Sequence, residues 1–101
     1  MDTPLSNDFL LQQLEDLALR LEIGIRYELL SDDEISIQSG GCRLLGRKLI
    51  IIDSRLHTGE RARILARELG KHDLEDLYIL PQVRAFVLVH SLPEGKNLPH
   101  R

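Results

Sequence analysis

Cysteine is nearly absent: Cys42 stands alone in a chain of 101 residues. That excludes an internal disulfide framework and a multi-cysteine zinc site. Aromatic side chains are scarce too, with no tryptophan and only Phe9, Tyr27, Tyr78 and Phe86 at scattered positions. Such a set gives a poor stacking surface for nucleic-acid bases, so nucleic acid is not the expected partner. The longest uninterrupted apolar run, Ala85 to Val89, is far short of the ~20 residues of a membrane span. The opening Met1-Asp2-Thr3-Pro4 has neither a basic nor an apolar stretch, so no signal peptide is expected. The expected compartment is the cytoplasm, and no membrane partner is expected.

What is present fits one small folded domain. Apolar residues make up 43% and charged residues 29%, too apolar a balance for a disordered chain. The domain is expected over residues 1–92, and the turn-rich residues 93–101 are expected to form a flexible tail. A net charge of −3 conceals an asymmetry. Residues 1–38 hold nine acids and two bases, whereas residues 43–71 hold eight bases and three acids. Either the two halves complement each other within the fold, or the basic part meets an anionic partner.

Leucine spacing predicts the first element. Leu10, Leu14, Leu17 and Leu21, widened by Leu11 and Ala18, recur at helical intervals. Thr3-Pro4 or Ser6 can begin this helix, and Gly24 is placed to end it. The period then falls to two: Ile23, Ile25, Tyr27 and Leu29 alternate with small or polar residues, as in a half-buried strand. Ile35 and Ile37 suggest a second short strand, and Gly40-Gly41 a bulge or tight turn. A hairpin is expected to follow, with Gly46-Arg47 at the centre of a type II′ turn. Ile50-Ile51-Ile52 predicts a central strand covered on both faces. A second helix is expected from Thr58, with Ala62, Leu65, Ala66 and Leu69 buried. A short helix at residues 73–78 is one continuation, and Pro81 opens a last helix to about Leu92. The expected class is α+β: an N-terminal helix, a small three- to four-stranded, mostly antiparallel sheet, a central helix and one or two closing helices.

One stretch has a recognisable form. Residues 52–71 run Ile52-Asp53, a short loop, then a helix reading Leu65-Ala66-Arg67-Glu68-Leu69-Gly70-Lys71. This resembles the ImmA/IrrE-type metallopeptidases, in which a strand ending in Ile-Asn leads to a helix reading Leu-Ala-His-Glu-Leu-Gly-His. The element order over residues 5–72 fits the same outline, so the resemblance implies a minimal zincin-like fold. In such enzymes two histidines four residues apart bind zinc, and the glutamate activates the metal-bound water. Here Arg67 and Lys71 occupy the histidine positions. Neither side chain offers an acceptor at neutral pH, and both would repel a cation. Glu68 keeps the glutamate's place, and none of Asp73, Glu75 and Asp76 is assigned as a third ligand. The resemblance therefore implies a metal-free, cofactor-free relative, inactive as a peptidase and kept as a protein-binding or regulatory module. In it, Arg67 or Lys71 pairs with Glu68 or Asp53 in place of the metal's charge.

Two other readings of the same residues stay open. Glu68, His72 and Asp76 are spaced four and four, so a continuous helix would align them as a rearranged metal site for a hydrolase, with His57 approaching from the preceding loop. Arg63, Arg67 and Lys71 form one helical edge that can face an anion or nucleic acid, assisted by Arg43, Arg47 and Lys48 on the hairpin. Cys42, beside Arg43, is read as a small buried residue with a reactive thiolate as the alternative. Finally, residues 81–92 are apolar almost all round: Val83, Ala85, Phe86, Val87, Leu88, Val89 and Leu92. One helix of a small domain cannot bury every face, so a homodimer through this segment is expected.

Overall fold

A computed structural model describes residues 5–30 and 40–91. The strand expected at Ile35 and Ile37 and the tail at residues 93–101 lie outside them. The first helix, α1 (Asn7–Arg20), starts at Ser6, whose hydroxyl oxygen accepts from the Phe9 N–H at 3.0 Å. It buries Leu10, Leu14, Leu17 and Ala18. Its end comes before Gly24. Glu22 takes the left-handed conformation at φ 61°, its N–H bonds the Leu19 carbonyl at 3.0 Å, and the Ile23 N–H bonds Ala18 at 2.9 Å. This is a Schellman closure with glutamate in the usual glycine position.

Three strands follow: β1 (Gly24–Glu28), β2 (Gly40–Leu44) and β3 (Arg47–Asp53). Their order is β1-β3-β2. β1 runs parallel to β3, with Gly24 opposite Leu49 and Glu28 opposite Asp53. β2 is antiparallel to β3, with Gly40 opposite Ile51 and Leu44 opposite Arg47. The α+β class holds, and β3 is central. Ile50 and Ile52 are buried beneath the helices, while Ile51 on the other side is only half-buried. The expected cover on both faces is thus incomplete among the described residues. Alternation along β1 also stops at its end, where Leu29 is exposed and Leu30 is buried.

The hairpin turn is displaced by one residue from its expected place. Leu45 and Gly46 are its centre, both with positive φ (55° and 81°), which defines a type I′ turn. Gly40 and Gly41 form neither a bulge nor a turn; both pair regularly within β2.

The second helix, α2 (Thr58–Leu69), is capped by His57 and not by Thr58. The Glu60 carboxylate accepts from the His57 N–H at 3.1 Å. Ala62, Leu65, Ala66 and Leu69 are wholly buried, packed between α1, the sheet and the last helix, α3 (Pro81–Ser91). Arg61 secures the entry to α2 by donating to the Leu56 and Ser54 carbonyls at 2.9 and 2.7 Å. Its guanidinium also lies over the Tyr27 ring, 4.9 Å from the centroid. The Tyr27 hydroxyl donates to Glu15, joining β1 to α1. Burial and that carboxylate raise the Tyr27 pKa, partly offset by Arg61.

Residues 71–80 run through turns, bends and irregular chain, so the short helix expected at residues 73–78 is not made. The Asp73 carboxylate accepts from the Glu75 N–H at 3.0 Å, and Arg84 donates to the Leu77 carbonyl at 2.9 Å. Pro81 opens α3 as expected, and Val83 and Val87 are its buried residues. Gly70, which closes α2, lies against the end of α3. A Cβ added there would sit 2.2 Å from the Ser91 Cβ, too close for relaxation of a side-chain tip to relieve. Gly70→Ala should therefore force α3 away from α2 and lower stability by about 1–3 kcal/mol. Urea unfolding checks this, and unchanged stability would show that the close approach imposes no constraint.

Candidate functional site

The polar centre of the structure is Glu68. It lies in the last turn of α2, and it is the one buried charged residue among those described, at 7% exposure. Placing a carboxylate there costs solvation, so its charge must be met locally. Lys71 supplies most of that. Its Nζ donates to Glu68 Oε1 at 3.0 Å and to Oε2 at 3.2 Å. Arg67 Nε also donates to Oε2, at 3.3 Å. The chain tightens after Leu69, with the Lys71 N–H on the Glu68 carbonyl at 3.2 Å, which brings the lysine back over the carboxylate.

Gly41 of β2 makes room for this group. A Cβ at that position would lie 2.7 Å from Glu68 Oε1. A side chain there would oblige the Glu68 carboxylate to shift, whereas the backbone at Gly41 carries no positive φ.

Beside Glu68, a cavity of about 310 Å³ opens between the β2–β3 hairpin and the C-terminal end of α2. Arg43, Lys48, Lys71 and His72 line it on the polar side, and Ile23, Leu49 and Ile50 on the apolar side. Arg43 and Lys48 are opposite each other in the ladder. His72 Nδ1 is buried without a hydrogen-bond partner among the described residues. Cys42 also borders the cavity and is exposed, not buried as expected.

The remaining candidate residues are placed as follows. Arg63 is exposed and borders a separate hollow with Glu60 and Arg67. It does not join Arg67 and Lys71 at Glu68. Because α2 stops at Leu69, Glu68, His72 and Asp76 do not share one helix. Among the described residues no group of three or more His, Cys, Asp or Glu side chains is arranged to hold a metal ion. His57, expected near this region, caps the opposite end of α2. Asp53 pairs with Arg55, with Nη2 at 2.7 Å from Oδ2 and Nε at 3.1 Å from Oδ1. Arg55 Nη2 also donates to the Leu30 carbonyl at 2.6 Å, which ties the end of β1 to the end of β3.

Sequence reasoning reached Glu68, Arg67 and Lys71 through the motif. It did not reach the approach of Gly41 to Glu68, nor the cavity that Arg43, Lys48 and His72 share. Both depend on the hairpin's register against α2, a long-range relation with no local signal. No protein-family model, curated protein or solved structure matches the chain.

The Asp53–Arg55 pair has a measurable signature. Hydrogen bonds from Arg55 hold the Asp53 carboxyl below its ordinary value, at about 2 against 3.8. A folded-state pKa below the unfolded one adds stability above the unfolded pKa, and the gain disappears as pH falls through the folded one. Asp53→Asn should therefore flatten the fall in stability between about pH 4 and pH 2. Denaturant midpoints at a series of pH values test this. An unchanged slope would mean that the pair contributes nothing to acid sensitivity.

Proposed function

We propose that the protein is a metal-free, non-catalytic relative of the ImmA/IrrE-type peptidases, acting in the cytoplasm as a protein-binding module. The observation that carries this reading is the convergence of Lys71 and Arg67 on Glu68. These cations stand at the two positions where the family has zinc-binding histidines. They meet the glutamate's negative charge with fixed cationic donors in the place where a metal would otherwise meet it. The sequence of elements is in keeping with the same outline: β3 ends at Ile52-Asp53, and a short loop leads into the helix that carries the motif. A carboxylate bound on both oxygens is a poor general base, because those lone pairs are already engaged.

The test is elemental mass spectrometry of the untagged protein after dialysis against zinc, repeated on Glu68→Ala. The expected result is no stoichiometric metal in either. One zinc per chain, lost in Glu68→Ala, would overturn the reading and favour a hydrolase with a rearranged site.

For the binding surface, the outward side of α3 supports a second copy of the chain as partner. Leu88 and Val89 are 61% and 62% exposed, and Ala85 is exposed beside them. An apolar side on a helix that already buries Val83 and Val87 is the self-complementary kind of surface a two-fold dimer uses. Sedimentation equilibrium should give a dimer at micromolar concentration, shifted to monomer by Leu88→Glu. A wild-type monomer under those conditions removes the homodimer.

A further inference from the structure

We propose that the cavity between the β2–β3 hairpin and the C-terminal end of α2 binds a phosphate monoester of a small organic molecule. This goes beyond the pseudo-peptidase reading and does not depend on it. Arg43 and Lys48 face each other across the antiparallel ladder and both line the cavity. Like charges directly opposed in a sheet are destabilising. Neither side chain has a hydrogen bond or ion pair among the described residues. The charge of Lys71 is already met by Glu68, so the cavity's surplus is the two positive charges of Arg43 and Lys48. A phosphate monoester carries close to two negative charges at neutral pH and presents three acceptor oxygens.

The donor set also fits that group. Arg43 brings a planar fork suited to two phosphate oxygens, and Lys48 a mobile point charge. Lys71 uses two of its three protons on Glu68, which leaves one to donate into the cavity. His72 stands in the same wall with its Nδ1 unpartnered among the described residues.

The organic part of the ligand follows from the other wall. Ile23, Leu49 and Ile50 offer apolar surface, and about 310 Å³ is a volume at the low end of small-molecule sites. A nucleic acid is disfavoured because none of the four aromatic side chains borders the cavity.

The test is a chemical-shift titration of the whole, isotopically labelled chain at constant ionic strength. The probes are inorganic phosphate, phenyl phosphate and a short oligothymidylate. Phenyl phosphate should saturate shifts confined to residues 41–43, 48–50 and 71–72, binding roughly tenfold tighter than inorganic phosphate through its apolar ring. The double variant Arg43→Gln/Lys48→Gln should weaken phenyl phosphate binding by about tenfold or more. Arg63→Gln, outside the cavity, should leave it unchanged. Both cavity side chains are exposed and the change removes a repulsive pair, so the fold should persist; the single Lys48→Gln serves if it does not. Unsaturable or dispersed shifts, or an unchanged affinity in the cavity variants, would overturn the proposal. So would equal binding of inorganic phosphate and the ester, or an oligothymidylate bound as tightly as phenyl phosphate.

Discussion

Burying the Glu68 carboxylate at the end of the apolar face of α2 constrains much of what surrounds it. A charge with so little access to water must be met by donors held nearby, and the nearest come from its own helix end. Arg67 lies beside it, and the chain must tighten after Leu69 for Lys71 to return over it. That tightening ends the helix at Gly70, where the absence of a side chain lets Ser91 of α3 come close. In β2, the missing Cβ of Gly41 leaves the carboxylate its room. One carboxylate thus bears on the surroundings of Gly41 and on the turn that follows α2.

The rest of the core is ordinary by comparison, and that is informative. Leu14 and Leu17 of α1, Ile52 of β3, Leu65 and Leu69 of α2, and Val83 of α3 are fully buried. They bring one residue or two from each of the three helices and from β3 into one core. Polar links then hold the periphery: Arg61 at the start of α2, Arg55 between the ends of β1 and β3, and Arg84 reaching from α3 to the segment before it. Three arginines donating to backbone carbonyls give the irregular segments partners that regular ladders do not supply.

The helices were legible in the sequence because their leucine, alanine and valine spacings repeat at the helical period over several turns. The ends were harder. Glu22 occupies a left-handed position usually marked by glycine, so nothing in its identity announces that α1 stops there. The hairpin turn shows the same difficulty: Leu45 takes positive φ beside Gly46, and a leucine carries no turn signal. The one-residue difference matters, since side chains change faces with each step along a strand. Within the site, the pairing of Glu68 with Lys71 follows from their spacing near a helix end. The opposition of Arg43 to Lys48, and the meeting of both with α2, depends on tertiary placement. His57 illustrates the converse: being near the motif in sequence, it still lies a full helix length from Glu68.

The strand order has a consequence for how the chain assembles. β2 and β3 are joined by a two-residue turn, so their ladder can zip with little loss of chain freedom. β1 must instead find β3 with the whole hairpin strand and its connection intervening, as Gly24 and Leu49 are partners. Closing that large loop carries the greater entropic penalty, and a parallel pairing returns slightly less per residue. The contacts of highest sequence separation in the sheet are therefore the ones that set its contact order. The Arg55 link from just beyond β3 to the Leu30 carbonyl lies at the end of that parallel seam, where it adds a tie between segments far apart in sequence.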